Sequence, residues 1–408
     1  MNILHICTYD KGGAANAALR LHRALVENGN NSKFLVLKKT RKEIPHLYEF
    51  DQRLVVLQRK YGFWNKFLWK MGIPQNEEQK LLKVIKKYKS RVEILTSPFS
   101  DCDLTRSELY KEADVIHLHW VSQFIDFDSF FKTNEKPIVW TLHDLNPLMG
   151  AFHYEEPFAL ESAELMRLEQ RYYNVKKNAY TCVNNITLVA PSNWMLDMIQ
   201  NSDAFPQNSG VRRIKYSLDR AFEYKDKSTA REWLGLDKEK FYILLVADSF
   251  DNPRKGMKIA KELIIQLKNE EINWLVVGES SDEFDFDNVH HLGYVSDVEK
   301  LANVYSSADC LFIPSRQDNL PNIVIEALLC GCPVIGFNVG GIPDMVQSDV
   351  NGMIVEDLEM ASIVEKIRVI KENIEFYNRI SIAKEAQTQF NETEIISKYI
   401  AIYQSMLG

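Results

Sequence analysis

The sequence predicts an α/β protein made of two doubly wound units. Three observations carry that prediction. Short runs rich in β-branched and apolar residues alternate with longer helical patterns along most of the 408 residues. Most of these runs are continuously apolar rather than alternating, the pattern of strands covered on both faces in a parallel sheet. The alternation occurs twice, on either side of a polar and charged stretch, KYSLDRAFEYKDKSTAREWLGLD (215–237).

Taken in order, the expected strands of the first half are NILHI (2–6), KFLVLK (33–38), DVIHLHW (114–120), PIVWTLHD (137–144) and ITLVAPS (186–192). Those of the second half are YILLVAD (242–248), NWLVVG (273–278), VHHLGYV (289–295), CLFIPS (310–315), PVIGF (333–337) and GMIV (352–355). Between them lie helices such as NAALRLHRALVENG (16–29), where Leu21 and Leu25 mark an apolar face and Gly29 a stop. The domain boundaries expected are 1–215, 216–388 and a last amphipathic helix, 389–408, packing back on the first unit.

Composition narrows the class. Apolar residues make up 46% of the chain and charged residues 26%, as in ordinary globular proteins. The formal net charge of −7 suggests no nucleic-acid partner. The six cysteines are scattered, and Cys330-Gly331-Cys332 does not have the spacing of a zinc knuckle, so buried thiols in a reducing compartment are expected. The chain opens on a strand without a basic segment and apolar core, and no apolar run approaches the ~20 residues of a membrane span. A cytoplasmic location follows as the expectation. One local surplus of charge stands out: RLVVLQRKYGFWNKFLWKMG (53–72) interleaves Phe63, Trp64, Phe67 and Trp69 with Arg59, Lys60, Lys66 and Lys70. Two readings of it stay open, a helix lying on an anionic membrane and a helix packed on the first unit with a solvated basic face.

Ligands of open parallel sheets bind beyond the carboxyl ends of the strands, and several chemically suggestive residues fall there. After the first strand, Gly12 and Gly13 precede a helix, where backbone N–H groups can approach an anion. PIVWTLHD ends in His143–Asp144, and a histidine there is expected to face the ligand. Arg254 and Lys255 follow a strand and precede Gly256 and a helix, a placement suited to a diphosphate. Gly293 and Tyr294 end a strand whose edge suits a nucleobase. The stretch SRQDNLPNIVIEALLCGCPVIGFNVGGIPDMV (315–346) adds the rest. Asp318 lies in a loop, a helix starts at Pro321 or Asn322 and stops at Gly331, and Glu326 projects from that helix. Free amides at the helix start favour phosphate, and the two carboxylates suit hydroxyl groups. Gly340–Gly341 suggests main chain brought close to a partner, and NVGGIPDMV a second helix start. Carboxylates for hydroxyls, cations and amides for phosphates, and a strand edge for a base together fit a nucleotide sugar.

The run PSRQDNLPNIVIEALLCGCPVIGFNVGGIPDMV resembles the donor-binding motif of family 4 retaining glycosyltransferases with the B-type, double Rossmann fold. The Gln-Asp-Asn-Leu-Pro-Asn wording and the Leu-His-Asp-Leu-Asn-Pro-Leu segment resemble enzymes that build bacterial surface polysaccharides: capsule, exopolysaccharide or lipopolysaccharide. The resemblance implies two Rossmann-like domains facing a cleft, the first binding the acceptor and the second the nucleotide-sugar donor. It implies that Glu326 binds the ribose hydroxyls and Asp318 those of the transferred sugar, with Asn319, Leu320, Pro321 and Asn322 lining the diphosphate or sugar. Lys255 and Arg254 would neutralise the leaving diphosphate, Gly12 and Gly13 would approach the same phosphates, and His143 would touch the donor sugar. Three departures stand against this pattern. Asp318 replaces the usual glutamate, Phe250 stands where an arginine is usual, and MGAFHYEEPF lacks the usual cysteines.

The implied reaction is transfer of a sugar to a hydroxyl of a glycan or lipid-linked acceptor with retention, by attack on the face from which the diphosphate leaves. No protein nucleophile and no metal site accompany the donor motif, so neither cofactor nor divalent ion is expected. Two alternatives remain: a nucleotide-sugar epimerase on the same fold, and a non-catalytic sugar-nucleotide binding protein. A phosphorylase would need a lysine region for pyridoxal, for which the chain offers no candidate.

Overall fold

Each continuous apolar run becomes a strand of a parallel sheet. The computed structural model describes residues 1–54, 77–88, 92–156, 161–247, 250, 252–278 and 284–408. The segment 53–72, with its two readings, lies outside the described residues from residue 55 onward. The chain forms two units, Met1–Lys215 with Thr393–Gly408, and Tyr216–Glu392. The second unit therefore continues past 388, because its last helix, Arg379–Gln389, is followed by Phe390, fully buried in that unit.

The first unit contains β1 (Asn2–Cys7), β2 (Asn31–Val36), β3 (Leu47–Glu49), β4 (Val115–Leu118), β5 (Ile138–Thr141), β6 (Ile186–Ala190) and β7 (Gly210–Arg213). They lie in the order β3-β2-β1-β4-β5-β6-β7, all parallel. The two strands not expected, β3 and β7, are the two edges. Edge strands need no continuous apolar run, and Leu-Tyr-Glu and Gly-Val-Arg-Arg have none. The first helix starts at Gly13 rather than Asn16, directly on the glycine turn.

Period-two alternation sends one set of side chains from the central strands to each face. On one face Ile3, Val115, Val139 and Val189 pack under Leu21 and Leu25 of the first helix. The same cluster takes in Ile395, Ile396, Tyr399, Ile402 and Tyr403 of the terminal helix Glu392–Leu407, so that helix is part of the first unit's core. The opposite face is aromatic, with Phe127, Phe131, Trp140 and Tyr180 among its buried members.

The second unit contains β8 (Phe241–Val246), β9 (Ile272–Val277), β10 (Val289–Gly293), β11 (Cys310–Ile313), β12 (Val334–Phe337) and β13 (Gly352–Val355). Their order is β10-β9-β8-β11-β12-β13, again all parallel. In each unit the strand order reverses once, between β1 and β4 and between β8 and β11, and such a switch point opens a crevice at the strands' carboxyl ends. Cys7, Cys310, Cys330 and Cys332 are buried thiols as expected, Cys102 is half-buried, and Cys182 is exposed; none is paired. Among the described residues no helix is long and apolar enough to cross a membrane.

Candidate active site

In the second unit, the loops leaving β8 and β11 flank the switch point and are bonded to one another. Residues Pro253–Lys255 form a single helical turn whose Arg254 amide donates to the Asn252 side chain at 3.0 Å. Gly256 then takes φ +69°, and a Cβ there would stand 1.9 Å from the carbonyl oxygen of Pro314. The Arg316 amide donates to the Arg254 carbonyl at 2.7 Å, and Arg254 Nη1 donates to the Gln317 carbonyl at 2.9 Å. These contacts carry Lys255 Nζ to 2.7 Å from Asp318 Oδ2.

Asp318 is buried, and burial alone would raise its pKa. Lys255 and Arg254, the latter 3.7 Å away, outweigh that and hold the carboxyl below its ordinary range. Ser315 Oγ donates to the same oxygen at 3.4 Å. The two cations differ in access: the Lys255 side chain is 30% exposed and that of Arg254 only 13%. Arg254 braces the loop from within, and Lys255 is the cation nearer solvent.

The paired glycines find their partner within the protein. The Gly341 amide donates to the Asp318 carbonyl at 3.1 Å, and Gly340 lies against the same main chain. The expected second helix does not form; Ile342 to Val346 make successive turns. The helix after Asp318 runs Asn322–Leu329 behind Pro321, and no side chain caps its first amides. Asn319 and Leu320 are buried in the connecting loop. Glu326 is buried in the second helical turn, where its Oε2 accepts from Tyr305 Oη at 3.0 Å. Gly331, at φ +70°, packs on the carbonyl of Arg379 as the helix stops. Gly293 ends β10 at φ +67°, and Tyr294 after it exposes 70% of its surface. Phe250 packs edge-on against Phe284 at 5.0 Å, so the position where a cation was usual is an apolar contact.

In the first unit Gly12, at φ +89°, leads into the helix Gly13–Glu27, whose N-terminus also lacks a side-chain cap. His143 lies just beyond β5, as expected, but its surroundings were not. It is buried, its Nε2 is 3.1 Å from His119 Nδ1, and burial pushes its pKa down to about 4. Asp144 beside it accepts from Trp120 Nε1 at 2.7 Å, His153 Nδ1 at 2.6 Å and the Asn146 amide at 3.0 Å. The loop beyond is pinned by Glu169, which accepts from the amides of Gly150, Ala151 and Phe152. Lys176, buried, donates to the carbonyl and side-chain oxygens of Asn146.

Among the described residues His5, His117 and His119 form the one histidine group able to hold a metal ion, with ring nitrogens within 4.8 Å of one another. Both nitrogens of His117 and of His119 are already engaged by protein partners. Tyr305, Ser315, His119 and His5 are the residues that sequence reasoning missed. The Ile-His-Leu-His alternation at 116–119 was a visible trace of His119.

Residues 226–387, within the second unit, match the family described as glycosyl transferases group 1. Over those residues the chain is similar to the group 1 glycosyltransferases. A relative of this chain, the uncharacterized 41.2 kDa protein in the cps region of Klebsiella pneumoniae, is 24% identical over 315 residues, covering 72% of this chain and 80% of that protein. The N,N'-diacetylbacillosaminyl-diphospho-undecaprenol alpha-1,3-N-acetylgalactosaminyltransferase of Campylobacter jejuni is 25% identical over 212 residues, 48% of this chain and 54% of its own. HepE from Anabaena, solved with UDP and glucose, has a TM-score of 0.67 at 17% identity, covering 99% of this chain and 100% of HepE. The B-type glycosyltransferase fold is shared with that structure.

Proposed function

We propose that this glycosyltransferase moves a sugar, with retention, from a nucleoside diphosphate to a hydroxyl of a glycan or lipid-linked acceptor in bacterial surface-polysaccharide synthesis. The observation that carries the reading is the Lys255–Asp318 pair at the switch point between β8 and β11, with Glu326 on the following helix. A cation and uncapped helix amides suit the diphosphate, and buried carboxylates suit sugar hydroxyls. The relative in a cps region and the relative named for a diphospho-undecaprenol substrate support the acceptor class. HepE's capture of UDP and glucose supports the donor class.

As the diphosphate leaves, negative charge grows on its bridging oxygen, and Lys255 stabilises that charge electrostatically. Asp318 holds the Lys255 ammonium in place until donor arrives. His143 meets the donor sugar, and the leaving phosphate takes the acceptor's proton. With cations supplied by the protein, turnover proceeds without a divalent ion and survives EDTA. Peripheral contact with an anionic membrane through 53–72 would bring a lipid-linked acceptor within reach.

Thermal-shift screening against UDP- and GDP-sugars tests the donor, since binding to the native state raises Tm. Incubation of the stabilising donor without acceptor separates the alternatives. A transferase releases free sugar slowly with the anomeric configuration kept, an epimerase returns an isomeric nucleotide sugar, and a binding protein returns the donor unchanged. Absence of stabilisation by every nucleotide sugar would remove the donor assignment.

A further inference from the structure

Three imidazoles form a row across the centre of the first unit's sheet. His5 comes from β1, His119 from the residue after β4, and His143 from just beyond β5. His5 Nδ1 lies 2.9 Å from His119 Nε2, and His119 Nδ1 lies 3.1 Å from His143 Nε2. The rings of His5 and His119 stack at 5.2 Å, and those of His119 and His143 tilt at 5.3 Å. His117 pairs with His5 across the sheet but stands aside from the row, since its nitrogens meet Tyr403 Oη at 2.7 Å and Thr141 Oγ1 at 2.9 Å. Toward the amino ends of the same strands, the same face carries Ile3, Val115 and Val139. An apolar face thus turns polar only as it nears the strands' carboxyl ends, where the ligand is expected.

Burial, joined for His5 and His119 by repulsion from neighbouring imidazoles, pushes all three rings below their ordinary pKa, so each is neutral at pH 7. A neutral imidazole carries one N–H and one bare nitrogen, and each contact in the row holds a single proton. Only two orders exist. In one, His143 Nε2–H donates to His119, His119 Nε2–H donates to His5, and His5 Nε2 is left carrying a hydrogen. In the other, His5 Nδ1–H donates to His119 Nε2, and His119 Nδ1–H donates to His143 Nε2. His5 Nε2 is buried without a partner. The first order would strand an N–H in the core, the rarer defect in folded proteins; the second leaves only a bare nitrogen there.

We infer that His119 is a positioning residue, held by His5, that donates to His143 Nε2 and so fixes His143 as the Nδ1–H tautomer. The inference rests on the reading of His143 as the donor-sugar contact. With Nε2 filled, His143 cannot abstract a proton there; it serves as a neutral, oriented ring whose hydrogen is at Nδ1. That suits a reaction in which the leaving phosphate, not a histidine, takes the acceptor's proton.

The test uses the full chain labelled with ¹⁵N-histidine and a UDP- or GDP-sugar found to raise Tm. Long-range ¹H–¹⁵N spectra should show His119 and His143 as Nδ1–H tautomers, unprotonated down to pH 5. His119→Phe keeps the ring and removes the donor; it should lower kcat for donor hydrolysis about 10²-fold, the scale of a misplaced reacting group, with KM little changed. It should also release His143 into a tautomer mixture. His119→Asn keeps a donor near the Nδ1 position and should restore activity to within a few-fold. A folded His119→Phe enzyme with wild-type kcat and an unchanged His143 spectrum would overturn the inference. So would an Nε2–H His143, or one equivalent of tightly bound transition metal on the row. His143→Ala separates the two readings. If it is fully active, the donor-contact reading fails; if it is impaired while His119→Phe is not, only the positioning role fails.

Discussion

A Cβ built on Gly340 would stand 1.6 Å from the carbonyl oxygen of Asp318. Gly340 also sits at φ +55°, a conformation that side-chain-bearing residues rarely adopt. The glycine pair thus serves the loop that carries the carboxylate rather than the ligand directly. Gly340→Ala should displace Asp318, with backbone strain of about 1–3 kcal/mol. Donor-induced stabilisation in a thermal-shift assay should be lost while the far-ultraviolet circular dichroism stays native. A variant that still responds to donor would show that the loop tolerates the shift.

Lys255→Ala should lower kcat about 10²-fold, the scale of one transition-state contact. It also removes the nearer of the two cations that offset burial of Asp318. The carboxyl pKa should then rise, so that donor binding weakens as pH falls, unlike in the wild-type enzyme. Kd measured by calorimetry at pH 8 and pH 5.5 checks this, and equal slopes in both proteins would refute it.

Tyr305→Phe removes the hydroxyl that donates to Glu326. A lost hydrogen bond of about 0.5–1.5 kcal/mol corresponds to a KM raised about 2- to 10-fold. The resemblance gives Glu326 the ribose, remote from the reacting carbon; on that reading kcat should be unchanged, the signature of uniform binding. Steady-state kinetics with varied donor distinguish this from a fall in kcat, which would place Glu326 nearer the chemistry.

Stability should fall in mild acid. Burial holds His22 and His143 at about 4, against about 6.5 in the unfolded chain. Their contribution is fully present above pH 6.5. It is lost as pH falls toward 4, because the unfolded chain binds protons that the folded chain does not. The slope is about 1.4 kcal/mol per pH unit for each histidine within that window. Urea unfolding at pH 7.5 and pH 5 measures it; an unchanged midpoint would contradict the buried, neutral row.

Removing 393–408 should unfold the first unit. Buried side chains the size of Ile395, Ile396, Tyr399, Ile402 and Tyr403 contribute about 1.5–3 kcal/mol each. Together they rival the whole stability of a typical domain, about 5–15 kcal/mol. Truncation would also strip Tyr403 from His117. Limited proteolysis should cleave the truncated first unit rapidly while sparing the second.

The core strands were legible because strands covered on both faces must be continuously apolar, and β1, β4, β5, β8 and β11 are. Edge strands β3 and β7 escaped, since an edge has no such requirement. Asp318, Glu326 and Lys255 were legible because each stands beside a turn or helix boundary written in glycine or proline.

By itself, then, the sequence determined the strand–helix alternation, the join between the units and which polar residues stand at the carboxyl ends of the strands. All of these depend on local periodicity and on special backbone conformations. Tertiary structure alone decided what each polar group faces. It gave Lys255 to Asp318, 63 positions along the chain, spent Gly340 on main chain, and lined His5, His119 and His143 into one row. A hydrogen-bond partner is set by which strands lie side by side, and strand order leaves no mark in the spacing of residues along the chain.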